Sequence, residues 1–193
     1  MKRICVFCGA SMGNRPAYRT AAETLGRALA ERGIGLVYGG GKVGLMGALA
    51  DACLAAGGEV IGVIPQGLVE RELAHPGARE MRIVGSLHER KALMADLSDA
   101  FITLPGGMGT WEEVCEVLSW AQLGLHRKPC GLINVDGFYN SLIAMFDHAV
   151  AEGFLSPQSR ALVLEEHEPL RLLERLATTP TPHVDRWIRS ENR

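Results

Sequence analysis

AFITLPGGMGTWEEVCEVLSWAQL, residues 100–123, runs from an apolar stretch through three glycines in four residues into a helical pattern. The first part reads as a buried strand. The last part keeps apolar residues at Val114, Val117, Leu118 and Ala121, one inward stripe of a helix over Thr110 to Leu123. A strand, a glycine turn and a helix in this order form the repeating unit of a parallel sheet covered by helices.

The unit recurs along the chain. Strands are expected at Arg3 to Cys8, Gly35 to Tyr38, Glu59 to Ile64, Met81 to Val84, Ala100 to Leu104, Pro129 to Ile133 and Ala161 to Leu164. Helices are expected at Pro16 to Arg32, Gly44 to Ala56, Ser86 to Leu97, Thr110 to Leu123, Tyr139 to Glu152 and Pro169 to Ala177. Leu45, Leu49, Ala52 and Ala56 are the inward face expected of the second helix. The pattern predicts an α/β fold, a doubly wound parallel sheet of about seven strands with helices on both faces. Pro65 to Glu80, with two prolines and the run VERE, reads as a flap or a long surface loop. The tail from about Thr178 is expected to be irregular, with Trp187 pinning it to the body or to a second subunit.

At 193 residues the chain is expected to form one domain, residues 1–193, with a substantial core. A formal charge of −2 carries no signature of nucleic-acid binding. No apolar run approaches a membrane span, and the apolar part of MKRICVFCGAS is too short for a signal peptide. Five cysteines without a dense framework suit a reducing compartment, so the expected location is the cytoplasm. Cys5 and Cys8 form a C-x-x-C, but on a strand they point to opposite faces. The six histidines include no H-x-x-x-H pair, so no metal site is expected.

Ligands of open parallel sheets bind beyond the carboxyl ends of the strands. Three glycine-rich turns follow strands here: Gly9 to Gly13, Gly39 to Gly44 and Gly106 to Gly109. Together they suggest one convergent anion site. Gly39, Gly41 and Gly44 fit G-x-G-x-x-G, yet the next strand, EVIGVIPQ, ends without the acid that would hold an NAD ribose. GGGKVG also lacks the spacing of a Walker P-loop. Glu112 and Glu116 share a helix face, with Glu113 about 100° round from Glu112. Acids in a first helical turn usually just complement the helix dipole. Beside amides free to hold a phosphate, they also suit a centre that turns positive during reaction. Cleavage of an N-glycosidic bond has such a transition state. Arg90 and Lys91 read either as a solvated basic pair or as partners of the phosphate or a glutamate.

These stretches resemble the LOG family, the cytokinin-activating phosphoribohydrolases. Its signature PGGxGTxxE stands at Pro105 to Glu113, GGGxxGLMG at Gly39 to Gly47 and LHERK at Leu87 to Lys91. WAQLGLHRKPCGLINVDGFYNSL, residues 120–142, is also similar to the family, and the match runs from CVFCGAS to about Pro157. The resemblance implies a Rossmann-like homodimer that hydrolyses cytokinin riboside 5′-monophosphates, and AMP, to free base and ribose 5-phosphate. It implies catalytic roles for Arg90 and Glu113, and a phosphoribosyl-binding segment of Gly106, Gly107, Met108, Gly109, Thr110, Trp111 and Glu112. Glu72, Lys91, Glu116 and Ser119 match further substrate-contacting places. Gly40 and Gly41 are expected to help with the phosphate, and Met94 and Trp111 to support the base. No cofactor is expected. The family's older lysine decarboxylase label is set aside, because only Lys42 and Lys91 fall near the site. Two rival readings are a molybdenum-cofactor carrier and an NAD-dependent oxidoreductase.

Overall fold

A computed structural model describes residues 1–69, 74–78 and 80–182. Among the described residues there are seven strands, β1 (Arg3–Phe7), β2 (Gly35–Tyr38), β3 (Val60–Pro65), β4 (Glu80–Val84), β5 (Ala100–Thr103), β6 (Cys130–Ile133) and β7 (Val163–Glu166). The helices are α1 (Pro16–Glu31), α2 (Gly44–Ala55), α3 (Gln66–Val69), α4 (Leu87–Asp96), α5 (Met108–Gln122), α6 (Asn140–Ala151), α7 (Pro157–Arg160) and α8 (Pro169–Thr178). All neighbouring strands pair in parallel, in the order β4-β3-β2-β1-β5-β6-β7. This is a Rossmann-like doubly wound α/β fold, as the repeating strand–turn–helix pattern predicts.

Alternation along β1 sorts its side chains to two cores. Ile4, Val6 and Cys8 pack with Leu25, Leu49 and Leu172 from α1, α2 and α8. Cys5 and Phe7 face Met94 of α4 and Val117 of α5. Cys5 and Cys8 therefore lie on opposite faces, as the strand period requires. The central strands are buried on both sides, so their sequences are continuous apolar runs.

The inward face of α2 is broader than its sequence predicts. Leu45, Ala48, Leu49, Ala50 and Cys53 are buried, Ala52 is half-buried and Ala56, just past the helix, is exposed. The reason is that α2 touches both α1 and the strands β2 and β3, so two of its sides are covered. The contact with α1 is close. A Cβ at Gly26 would overlap the carbonyl oxygen of Leu49 and come within 3.1 Å of the amide of Cys53. Alanine is the better helix former, but backbone cannot yield as a side chain can. Gly26→Ala is expected to destabilise the fold by about 2 kcal/mol, roughly 6 °C in Tm, in a thermal melt.

Two elements are displaced from the sequence expectation by two residues. Helix α5 starts at Met108 instead of Thr110, with Gly107 in extended conformation before it. The last strand is displaced to Val163–Glu166 because residues 157–160 form the short helix α7. Ser156 caps that helix by accepting from Ser159 N at 3.0 Å, and Pro157 opens it.

Part of the unassigned stretch Pro65 to Glu80 is docked on the body. Ala74 bridges Gly41, His75 N donates to Gly40 O at 2.9 Å, and His75 Nε2 lies 3.1 Å from Asp51 Oδ1 on α2. Glu72 and Trp187 lie outside the described residues. Among the described residues no helix is long and apolar enough to cross a membrane.

Candidate active site

Strand β1 is the switch point of the sheet. From it the order runs through β2 and β3 on one side and through β5 and β6 on the other. Loops after β1 and β5 diverge there and leave a crevice. A cavity of about 470 Å³ occupies this place, of the size that small ligands use. Residues 8–13 form one bank and Pro105, Gly106, Gly107, Gly109 and Thr110 the other. Leu45, Met46, Arg90 and Glu113 close one end, and Tyr18 and Phe138 line it from α1 and the turn after β6.

Arg90 reaches the cavity from α4. Ser86 caps that helix by accepting from Glu89 N at 3.1 Å, while Glu89 accepts from Gly85 N at 2.8 Å. The guanidinium donates from Nε to Val63 O at 3.1 Å and pairs through Nη1 with Glu113 Oε1 at 3.1 Å. Its Nη2 fills the space where any side chain at position 39 would begin, so Gly39 is there to let the cation lie against the backbone. The strand β3, the turn after β2 and helix α5 thus hold one cation in one orientation.

Glu113 points inward from α5, with only 9% of its side chain exposed, whereas Glu112 on the adjacent face is exposed. Burial is the largest influence on its carboxyl and raises its pKa above the ordinary value. Arg90 and Lys91 pull in the other direction and Glu112 adds to the rise, so the group ionises less readily than a surface glutamate. Cys8 at the cavity floor is held as a thiol, its pKa raised first by burial and then by the charge of Glu113.

Because α5 starts at Met108, neither glutamate is in its first turn, and that turn contains no acid. The dipole-complementing account of Glu112 and Glu113 is therefore removed. The capping residue, Gly107, has no side chain to satisfy the leading amides, which remain available to an anion.

Lys91, Glu112 and Glu116 form a second cluster between α4 and α5. The ammonium pairs with Glu112 and, at 2.7 Å, with Glu116. Burial lowers the pKa of Lys91, but its two carboxylate partners together outweigh that and raise it. None of these three lines the cavity. Met108 and Trp111 are exposed and outside it, and Met94 is fully buried in the core, so neither Trp111 nor Met94 can support a base there. Ser119 bonds to Cys115 O at 2.8 Å and lines a different, apolar groove between α5 and α6. Gly40 and Gly41 are buried beneath the docked residues 74–75 and do not reach the cavity. Sequence reasoning grouped the turn Gly9 to Gly13 with the other two in one anion site but named no residue of it for the site, and it missed Ser11, Tyr18, Met46 and Phe138. The glycine spacing after β1 was the signal; which turns face one another is set by strand order.

A family model described as "Possible lysine decarboxylase" matches residues 46–176. The probable cytokinin riboside 5′-monophosphate phosphoribohydrolase LOGL5 of Oryza sativa subsp. japonica is 54% identical over 183 residues, covering 94% of this chain and 74% of that protein. The cytokinin riboside 5′-monophosphate phosphoribohydrolase LOG7 of Arabidopsis thaliana is 53% identical over 180 residues, covering 87% of this chain and 83% of that protein. Among solved structures, the molybdenum cofactor binding protein from Rippkaea orientalis has a TM-score of 0.71 at 23% identity, over 92% of this chain and 97% of that one. The last likeness is one of fold alone. With a family model across most of its length and relatives more than half identical to it, the chain belongs to the LOG family.

Proposed function

We propose that this chain hydrolyses the N-glycosidic bond of cytokinin riboside 5′-monophosphates, and of AMP, to free base and ribose 5-phosphate. The observation that carries this reading is the buried Arg90–Glu113 pair at the end of a cavity whose bank is the open start of α5. The rice and Arabidopsis relatives, more than half identical to this chain, are named as cytokinin riboside 5′-monophosphate phosphoribohydrolases.

In this reading the amides of Gly106 to Thr110 hold the 5′-phosphate. The bond from the anomeric carbon to the base nitrogen breaks, and its electron pair leaves with the base, which takes up a proton. The carboxylate of Glu113 stabilises the positive ribosyl centre or takes a proton from the attacking water. Arg90 fixes that carboxylate and keeps it ionised. The reaction consumes one water and needs no cofactor. Lysine decarboxylation has no such support, because Lys91 is committed to two carboxylates and Lys42 does not line the cavity. The purified protein, given AMP or N6-isopentenyl-AMP, is expected to release base and ribose 5-phosphate in equal amounts by chromatography. Tight nucleotide or cofactor binding with no base released would instead support a carrier.

The reading extends to a homodimer in the cytoplasm. On α6 and just beyond it Met145 and Phe154 are 60% and 87% exposed, while Leu142, Ile143 and Phe146 are half-buried against the core of the same chain. Those two exposed apolar side chains support a second copy as their cover. All five cysteines are free, which supports a reducing compartment.

A further inference from the structure

We propose that the loop after β1, through the Ser11 hydroxyl, is the second wall of the phosphate site and makes the enzyme demand a 5′-phosphate. This rests on the phosphoribohydrolase reading and adds a specificity-determining residue to it.

Ser11 and Thr110 line the same cavity from opposite banks, at the switch point between β1 and β5. Neither hydroxyl has a hydrogen-bond partner among the described residues. The banks are fixed relative to each other. Gly9 N donates to Pro105 O at 3.0 Å, and Leu45 N donates to Gly9 O at 3.0 Å. The loop carrying Ser11 is thus tied on one side to the turn before α5 and on the other to the start of α2. A phosphate resting on the leading amides of α5 would have its remaining oxygens facing that loop. A hydroxyl there donates to an anion at no cost in charge, which suits a dianion already partly neutralised by amide dipoles. The remaining end of the cavity is lined by the Tyr18 ring, edge-on to Phe138 at 5.7 Å between centroids. The hydroxyl of Ser11 is the complement of the α5 amides on the facing bank.

The test uses Ser11→Ala and Ser11→Asp beside the wild type. Ser11 is exposed, so both variants are expected to fold, which a thermal melt checks. Binding of ribose 5-phosphate is followed by calorimetry, and turnover of AMP and of adenosine by base release. Ser11→Ala is expected to weaken ribose 5-phosphate binding and raise KM for AMP about tenfold, with a smaller change in kcat. Ser11→Asp is expected to weaken both about a hundredfold, because it sets a carboxylate against the dianion. The preference for AMP over adenosine is expected to fall in both variants. Ribose 5-phosphate binding that is equal in Ser11→Asp and the wild type, or absent from the wild type, overturns the proposal. Ser11-dependent binding by a protein that releases base from no nucleotide would uphold this wall and overturn the hydrolase reading. Normal AMP hydrolysis with unchanged KM in both variants would do the reverse.

Discussion

Glu113→Gln is expected to lower kcat on AMP about a thousandfold, with KM changed far less. Glutamine keeps the shape of the side chain and can still accept from Arg90 Nη1, so the cavity is expected to persist. What disappears is the negative charge proposed to meet the ribosyl cation, or the base proposed to take the proton from water. The pH profile supplies a sharper readout. In the proposed mechanism catalysis needs the ionised form, and burial raises the pKa of this carboxyl above the ordinary carboxylate value. Activity of the wild type is therefore expected to be full above that raised pKa and to fall as pH drops through it. The acid limb should lie at higher pH than a surface glutamate would give, and Glu113→Gln should abolish it. An unchanged profile in the glutamine variant would remove Glu113 from the chemistry.

Arg90→Ala is expected to lower kcat/KM about a hundredfold and to move the acid limb to higher pH. The guanidinium is the largest influence opposing the rise in Glu113, so its loss lets burial act with less restraint. The direction of that movement distinguishes an electrostatic role from simple loss of packing, which would lower activity without displacing the limb. Arg90→Lys separates charge from geometry. It restores a cation, and with it much of the pH profile. It cannot donate to Val63 O from one nitrogen while a second, held coplanar with it, meets Glu113. The lysine variant is therefore expected to recover the profile more fully than the rate.

Much of this site was legible before the fold was known. Arg90 and Glu113 belong to short stretches, SLHERK and PGGMGTWEE, whose capping serine and glycines dictate local backbone. The helical period already separated Glu113 from Glu112, and the structure turns one inward and the other out. The exact start of α5 was less legible, since a glycine can serve as a cap or continue a turn. That two-residue displacement matters, because it takes both acids out of the first turn.

Other assignments needed contacts that local pattern does not encode. Gly40 and Gly41 sit in a turn that looks as well suited to phosphate as any, yet residues 74–75 cover them. Lys91 follows Arg90 directly, but successive helical residues face different ways, and it meets Glu112 and Glu116 instead of the cavity. Tyr18 and Phe138 meet at the cavity although 120 residues separate them, from the start of α1 and the turn after β6.

The amino-acid sequence by itself determined the alternation of strand and helix, the glycine turns at the carboxyl ends of strands and the family motif that includes Arg90 and Glu113. These follow from period, φ/ψ preference and residue chemistry, all of which act over a few neighbouring residues. Only the tertiary structure decided that β1 and β5 lie side by side, and hence that the loop of Ser11 faces that of Thr110. The backbone hydrogen bonds of a parallel ladder are the same for any two apolar strands, so the order of strands is chosen by the packing of the whole chain.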